Sequence, residues 1–179
     1  MRLPLHPISP FFVPMTAPEN LMAETWERLC TNPGFSRPGF TCDVLPDGRV
    51  ILSPTFNYHG WFQARLSVLL TQLAPSGQPF VELAVLTADG LFEVDVAWTQ
   101  AVAGLRKQKY ASPAPEICIE VESEGNTDAE FTRKQTALFN AGCKEFWRVS
   151  KSGQVKFFVP EGAVSSSRIV PAFPSAIED

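Results

Sequence analysis

Histidine is scarce in this 179-residue chain, which holds only His6 and His59. The four cysteines, Cys30, Cys42, Cys118 and Cys143, form no CxxC pair. Both shortages argue against a zinc site, which draws on clustered Cys and His ligands. No GxSxG surrounds any serine, and neither GxGxxG nor GxxxxGK[ST] occurs. Serine-hydrolase, dinucleotide-binding and P-loop readings therefore lack their motifs. No apolar run approaches the length of a membrane span. Residues 1–14 are interrupted by Pro4, Pro7, Pro10 and Pro14 and contain no continuous apolar core of the kind a signal peptide needs. They read instead as part of an extended, proline-rich arm over residues 1–15. Positive charge is not in excess either: 15 Lys and Arg stand against 19 Asp and Glu, a net charge of -4. No global basic field is available to drive nonspecific nucleic-acid binding, so any such contact needs a local patch. The expectation is a cytoplasmic protein with reduced, buried thiols.

What the chain does hold is enough apolar material for one core. Apolar residues make up 45% and charged residues 19%, with 14 Phe and 4 Trp. This length and composition predict a single domain over residues 1–179. A helix is expected over 16–30, with Pro18 in its first turn. Strands at 40–45 and 49–52 are joined by Pro46-Asp47-Gly48, a hairpin signal. Phe62, Leu66, Leu69, Leu70 and Leu73 recur at helical spacing within 57–73. Strands follow at 79–86 and 91–98. In the second, strict alternation puts Phe92, Val94, Val96 and Trp98 on one face and Glu93, Asp95 and Ala97 on the other. Residues 99–114 read as irregular and hold the basic run Arg106-Lys107-Gln108-Lys109. That run reads as a solvated loop, or as a contact for a phosphate backbone. A strand over 116–122, a helix over 127–141, a hairpin from 144–150 and 154–159, and a short strand near 168–170 complete the chain. The order predicts an α/β or α+β architecture, one sheet flanked by helices.

The most informative stretch is 115–147. Ile117, Ile119 and Val121 alternate with Glu116, Cys118, Glu120 and Glu122, a strand with one apolar and one acidic face. If the strands of Asp95 and Glu120 are neighbours, the two carboxylates can converge and hold Mg²⁺ or Mn²⁺ through hard oxygen ligands. A metal so held activates water and neutralises charge on a phosphate. The alternative is a wet sheet face with Asp95, Glu120 and Glu122 in solvent. Lys134 lies on the inner side of the following helix, near Leu138 and Ala141, and there needs a partner. Either the strand carboxylates supply it, or Glu130, four residues earlier, forms a local salt bridge. His59, at the start of a helix, reads as a local hydrogen-bonding residue. Ser123 either orients Glu120 or caps the next helix.

In order along the chain stand Asp43, Asp47-Gly48, Ser53-Pro54, His59, Val94-Asp95-Val96-Ala97-Trp98, Pro115, Glu120-Val121 with Ser123, Asn126-Thr127, Lys134, Ala141-Gly142, and Glu145 with Trp147. This series resembles the Uma family, a bacterial branch of the PD-(D/E)xK nuclease superfamily, from about residue 15 to residue 173. The resemblance implies a restriction-endonuclease-like fold, a central mixed sheet flanked by helices. It implies that Asp95 and Glu120 bind metal, with Asp43 as an accessory acid. Lys134 is then the signature lysine, moved from strand to helix, holding the attacking water or the phosphate. Two positions depart from the family pattern: Val94 stands where a proline precedes the catalytic Asp, and Glu122 where the usual lysine falls.

The first expectation is a Mg²⁺- or Mn²⁺-dependent DNA endonuclease. Asp95, Glu120 and the main-chain carbonyl of Val121 would hold the metal, and Glu122 would serve as a second-metal ligand or general base. A homodimer is expected by analogy with nucleases that cut both strands. The second expectation, favoured by Glu122 and the net charge, is a nuclease-fold module that binds nucleic acid or protein without chemistry.

Overall fold

The computed structural model describes residues 15–34, 39–123 and 127–178. Nearly all of the expected N-terminal arm, and Asn126, lie outside these residues. The described elements run α1 (Ala17–Thr31), β1 (Phe40–Val44), β2 (Val50–Pro54), α2 (Asn57–Leu73), β3 (Gln78–Thr87), β4 (Gly90–Thr99), α3 (Val102–Leu105), β5 (Ile117–Val121), α4 (Asp128–Asn140), β6 (Glu145–Val149), β7 (Val155–Val159) and β8 (Gly162–Val164).

Local chemistry accounts for the helix starts. Thr16 caps α1 in a reciprocal box with Glu19, and Pro18 sits in the first turn where no amide partner is needed. Thr127 caps α4 in the same way with Glu130. Gly48, at φ 81°, supplies the left-handed residue that lets β1 turn into β2.

Eight strands form one mixed sheet in the order β2-β1-β4-β5-β6-β7-β8, with β3 also paired to β4. All pairings are antiparallel except β5 with β6. β3 follows β4 along its whole length, from Gln78 opposite Thr99 to Thr87 opposite Gly90. β4 has two further neighbours: Leu91 pairs with Val44 of β1, and Val96 to Trp98 pair with β5. β1 and β5 therefore part company beside the middle of β4, and the sheet forks there.

Helices cover both faces. On one, Phe62, Leu66 and Leu70 of α2 pack on Val96, Trp98, Ile117, Ile119 and Trp147. On the other, Phe131 and Leu138 of α4 pack on Val94, Ala97, Cys118 and Phe146. β4 and β5 are buried at every residue, so the wet acidic face that the alternation of 116–122 permitted does not exist. Helix α1 adds a third cluster, with Met22 and Trp26 against Val44, Leu86 and Leu91.

Three expectations are corrected. Strict alternation fails in β4: Val94 and Ala97 share the cluster under α4, while Val96 and Trp98 pack against α2. The break falls at Asp95, whose ladder position faces Glu82, a non-glycine residue at φ 49°. That pair is missing from an otherwise continuous β3–β4 register, so the strand changes phase where its backbone is distorted. Residues 168–170 form a bend, not a strand, because the amides of Arg168 and Ile169 donate to the buried Glu145 carboxylate instead of to a ladder. The irregular region 99–114 contains the single-turn helix α3.

Candidate metal and phosphodiester site

The fork in the sheet strands several backbone amides, and carboxylates take them. Asp43 on β1 accepts from the amide of Glu93 at 2.9 Å. Glu93, itself buried, accepts from the amide of Cys42 at 2.8 Å. Asp95 accepts from the amide of Val121, at the end of β5, at 2.7 Å. Where main-chain pairing stops, side chains continue it and hold three acids at one point of the sheet.

A cleft opens at this fork. It is lined by Asp43 and Ile51 from the β1–β2 hairpin, Asp95 from β4, Glu120 from β5 and Lys134 from α4, with His59 at the start of α2. Lys134 Nζ lies 2.9 Å from Glu120 Oε1 and 3.8 Å from Asp43 Oδ1. It donates to the carbonyl of Glu93 at 2.9 Å. The choice left open by the sequence is thus decided: Lys134 reaches the strand carboxylates, and Glu130 is spent on capping, accepting from the amide of Thr127 at 2.8 Å. Thr127, not Ser123, is the cap of α4. Ser123 lines the cleft.

The contact between Lys134 and Glu120 is an ion pair, not a well-directed hydrogen bond. Glu120 Oε1 is buried and accepts no hydrogen bond among the described residues. Burial is the strongest influence on Glu120 and drives its pKa up. Lys134 pulls it down, while Asp95 and Asp43 push it further up, leaving it at about 8. Asp95 is also raised, by burial first, against the opposing pull of the Val121 amide, Lys134, His59 and Gln63. For Lys134, burial works to lower the pKa, but Asp43, Glu120 and Asp95 outweigh it and the net shift is upward.

The structure brings Asp43, Asp95, Glu120, Val121 and Lys134 together. It does not bring Glu122 to them. β5 ends at Val121, the amide of Glu122 turns to the carbonyl of Val149 at 2.8 Å, and its carboxylate takes Arg148 Nε at 2.5 Å. Arg148 also pairs with Asp128 at 2.6 Å and lies over the Phe131 ring. The basic run 106–109 does not line the cleft, and Lys109 pairs with Glu27 of α1 at 3.1 Å.

Sequence reasoning passed over Gln63, Glu93, Arg133 and Arg148. Gln63 holds Asp95 Oδ1 at 3.3 Å. It had a signal: with His59 it forms a polar i, i+4 pair among the inward residues Phe62, Leu66 and Leu70. Arg133 also lines the cleft, with its guanidinium 5.6 Å from the Phe92 ring. His59 Nδ1 accepts from the amide of Phe56 at 3.0 Å, the local role expected of it, and its ring lines the cleft as well.

Comparison with known proteins agrees with this architecture. The sequence matches Uma2, described as "Putative restriction endonuclease", over residues 23–176. The chain belongs to the Uma2 family. The match spans most of the region over which the motifs resemble that family. No curated protein matches. A crystal structure of "a putative nuclease belonging to DUF820" from Anabaena variabilis ATCC 29413 is similar, with a TM-score of 0.58 and 15% identity. The similarity covers 67% of this chain and 72% of that one. At that identity the likeness shows the fold, and it agrees with the Uma2 assignment and with a mixed sheet flanked by helices. Among the described residues no group of three His, Cys, Asp or Glu side chains forms a metal cage, and no helix is long and apolar enough to cross a membrane.

Proposed function

We propose that this Uma2 chain is a Mg²⁺- or Mn²⁺-dependent DNA endonuclease acting through Asp95, Glu120 and Lys134. The observation that carries the reading is the buried Glu120 Oε1, which accepts no well-directed hydrogen bond among the described residues and has the Lys134 ammonium 2.9 Å away, beside the second buried carboxylate of Asp95. Such an oxygen is costly to leave unsatisfied, and a hard divalent cation satisfies it. Asp95 and Glu120 supply carboxylate oxygens, and the Val121 carbonyl is the proposed third ligand. This donor set suits Mg²⁺ or Mn²⁺ and not a softer metal. When bound, the ion supplies a water of lowered pKa and neutralises charge on the phosphoryl group.

The remaining roles belong to the chain. The Val121 amide and Gln63 fix Asp95 in one orientation. Lys134 has a raised pKa and stays protonated, so it acts as a fixed positive charge that places the water or a phosphate oxygen, not as a general base. Asp43 helps to position Lys134. Glu122 steadies Arg148 at the end of β5, which removes it from the proposed chemistry.

The test is cleavage of supercoiled plasmid and of single-stranded circular DNA with Mg²⁺ or Mn²⁺, comparing wild type with Asp95→Ala and Lys134→Ala. Wild type is expected to cut and both variants to lose activity. A wild type that never cuts, or variants that cut equally well, ends the reading. Calorimetric titration with Mn²⁺ separates the second reading. A binding module without chemistry, suggested by Glu122 at the usual lysine position, would take up no ion at Asp95 and Glu120.

A further inference from the structure

His59 is 3% exposed and sits on the inner face of α2, one turn before Gln63. Its ring is fixed on two sides. Tyr58 stacks on it with centroids 4.4 Å apart, and the Tyr58 hydroxyl donates to the carbonyl of Glu122 at 3.1 Å. Nδ1 accepts from the amide of Phe56 at 3.0 Å, which closes the N-terminus of α2.

That bond decides what the other nitrogen can do. Nδ1 carries no proton while it faces an N–H, so the proton of the ring is on Nε2. A protonated Nε2 has no free lone pair, and it serves neither as a metal ligand nor as a general base. It is a donor, and it has no acceptor among the described residues. The hydrogen bonds of Asp95 come from Val121 and Gln63 instead.

The ring lies between two depressions. Phe56, Gly60 and Glu82 line one, and Asp95, Glu120 and Lys134 line the cleft. Nδ1 points to Phe56, which borders the first and not the second. Nε2, across the ring, points to the cleft, and His59 is near enough to Asp95 to act on its carboxyl. An otherwise buried ring with one donor left open at a cleft has that donor available to a ligand.

The neighbours narrow the choice of acceptor. Arg133 and Lys134 line the same cleft, so an anion there meets positive charge as well. Donation to an attacking water would occupy the lone pair that the attack needs. Donation to a non-bridging phosphate oxygen stabilises charge on the group being transferred. We infer that His59 contacts the substrate, its Nε2–H donating to a non-bridging oxygen of the phosphodiester bound in the cleft. This rests on the nuclease reading and adds a residue to its site.

Substitution separates the two ends of the ring. Asparagine sets an oxygen near the position of Nδ1 and nothing near Nε2, whereas glutamine sets an amide near Nε2 and nothing near Nδ1. His59→Asn should keep the wild-type Tm but lower kcat/KM for plasmid cleavage about 10²-fold. His59→Gln should lower the Tm by roughly a few degrees and cut within about tenfold of wild type. A residue that only caps α2 gives the reverse order, with His59→Asn cutting like wild type and His59→Gln the weaker enzyme, and that result overturns the inference.

A second measurement needs no turnover and stands if His59→Gln does not fold. The chain has only two histidines, so long-range ¹H–¹⁵N NMR assigns the His59 ring by the signals that His59→Asn loses. The Nε2–H tautomer is expected, with its Nε2 resonance moving when a short DNA duplex is added in Ca²⁺, under a gel control that the DNA stays intact. A ring protonated on Nδ1, or an Nε2 resonance that DNA leaves unmoved, overturns the inference. Wild type that cuts nothing while DNA still moves Nε2 ends the endonuclease reading alone. Wild type that cuts, with His59→Asn equally active, ends only this inference.

Discussion

Glu120 and Glu145 stand on adjacent strands, β5 and β6, and both are buried, at 9% and 1% exposure. Glu145 is saturated. Its Oε2 accepts from Trp147 Nε1 at 2.8 Å and Ser167 Oγ at 2.7 Å, and its Oε1 from the amides of Arg168 at 2.6 Å and Ile169 at 2.8 Å. Three of those donors, Ser167, Arg168 and Ile169, clamp the segment after β8 onto the sheet. Glu120 has one lysine beside it and an oxygen that accepts no hydrogen bond among the described residues. The same side chain at similar depth thus has two uses. A carboxylate whose lone pairs are filled holds the fold, and one held open by the fold is available for a ligand.

The largest expected effect would test the first half of that contrast. Glu145→Ala leaves four donors without their acceptor and is expected to cost about 3–5 kcal/mol of stability, measured by urea unfolding. A loss below about 1 kcal/mol would erase the distinction. Next, Glu120→Gln should lower DNA cleavage by about 10²–10³-fold without lowering the urea midpoint at alkaline pH. A variant that cuts normally would show that the open oxygen has no catalytic use.

A third test uses pH. The folded-state pKa of Glu120 lies at about 8, above the ordinary value of 4.5. Between those values the native state binds more protons than the unfolded state. Its contribution to stability is therefore complete at acid pH and lost as pH rises through about 8. Without divalent ions, unfolding free energy should be lower at pH ~8 than at pH ~5 by about 3–4 kcal/mol, and Glu120→Gln should flatten that slope. An equal slope in the variant would assign the dependence to another group. The smallest effect concerns the helix that carries Lys134. Thr127→Ala removes the α4 cap and should cost about 1 kcal/mol, seen as a lower Tm by circular dichroism. An unchanged Tm would mean that packing of Phe131 and Leu138 alone holds Lys134 in place.

Much of the scaffold was legible in advance because it obeys local rules. The apolar stripe of α2, the turn at Asp47-Gly48 and the alternation through Ile117, Ile119 and Val121 all appear where periodicity put them. The order of motifs from Asp43 to Trp147 was legible too, as a family resemblance that the Uma2 match bears out. Less legible was anything decided by the partner of a side chain. Glu120 and Glu122 are two residues apart and should share a face, but β5 ends between them and Arg148 draws Glu122 away. Glu145 read only as part of a motif, since three of its four donors lie 22 to 24 residues later along the chain. Gln63 offered only its polar pairing with His59, because its partner Asp95 lies 32 residues later along the chain.

By itself, then, the sequence determined the elements, most of their inward faces and the family. These follow from propensity and periodicity, which act over a few residues. Tertiary structure alone decided that Lys134 meets Glu120 and not Glu130, that β4 changes phase at Asp95, and that one buried glutamate is filled and the other left open. Each of those depends on where the sheet forks between β1 and β5. A fork is set by pairing between strands far apart in the chain, and the spacing of residues along one strand carries no record of it.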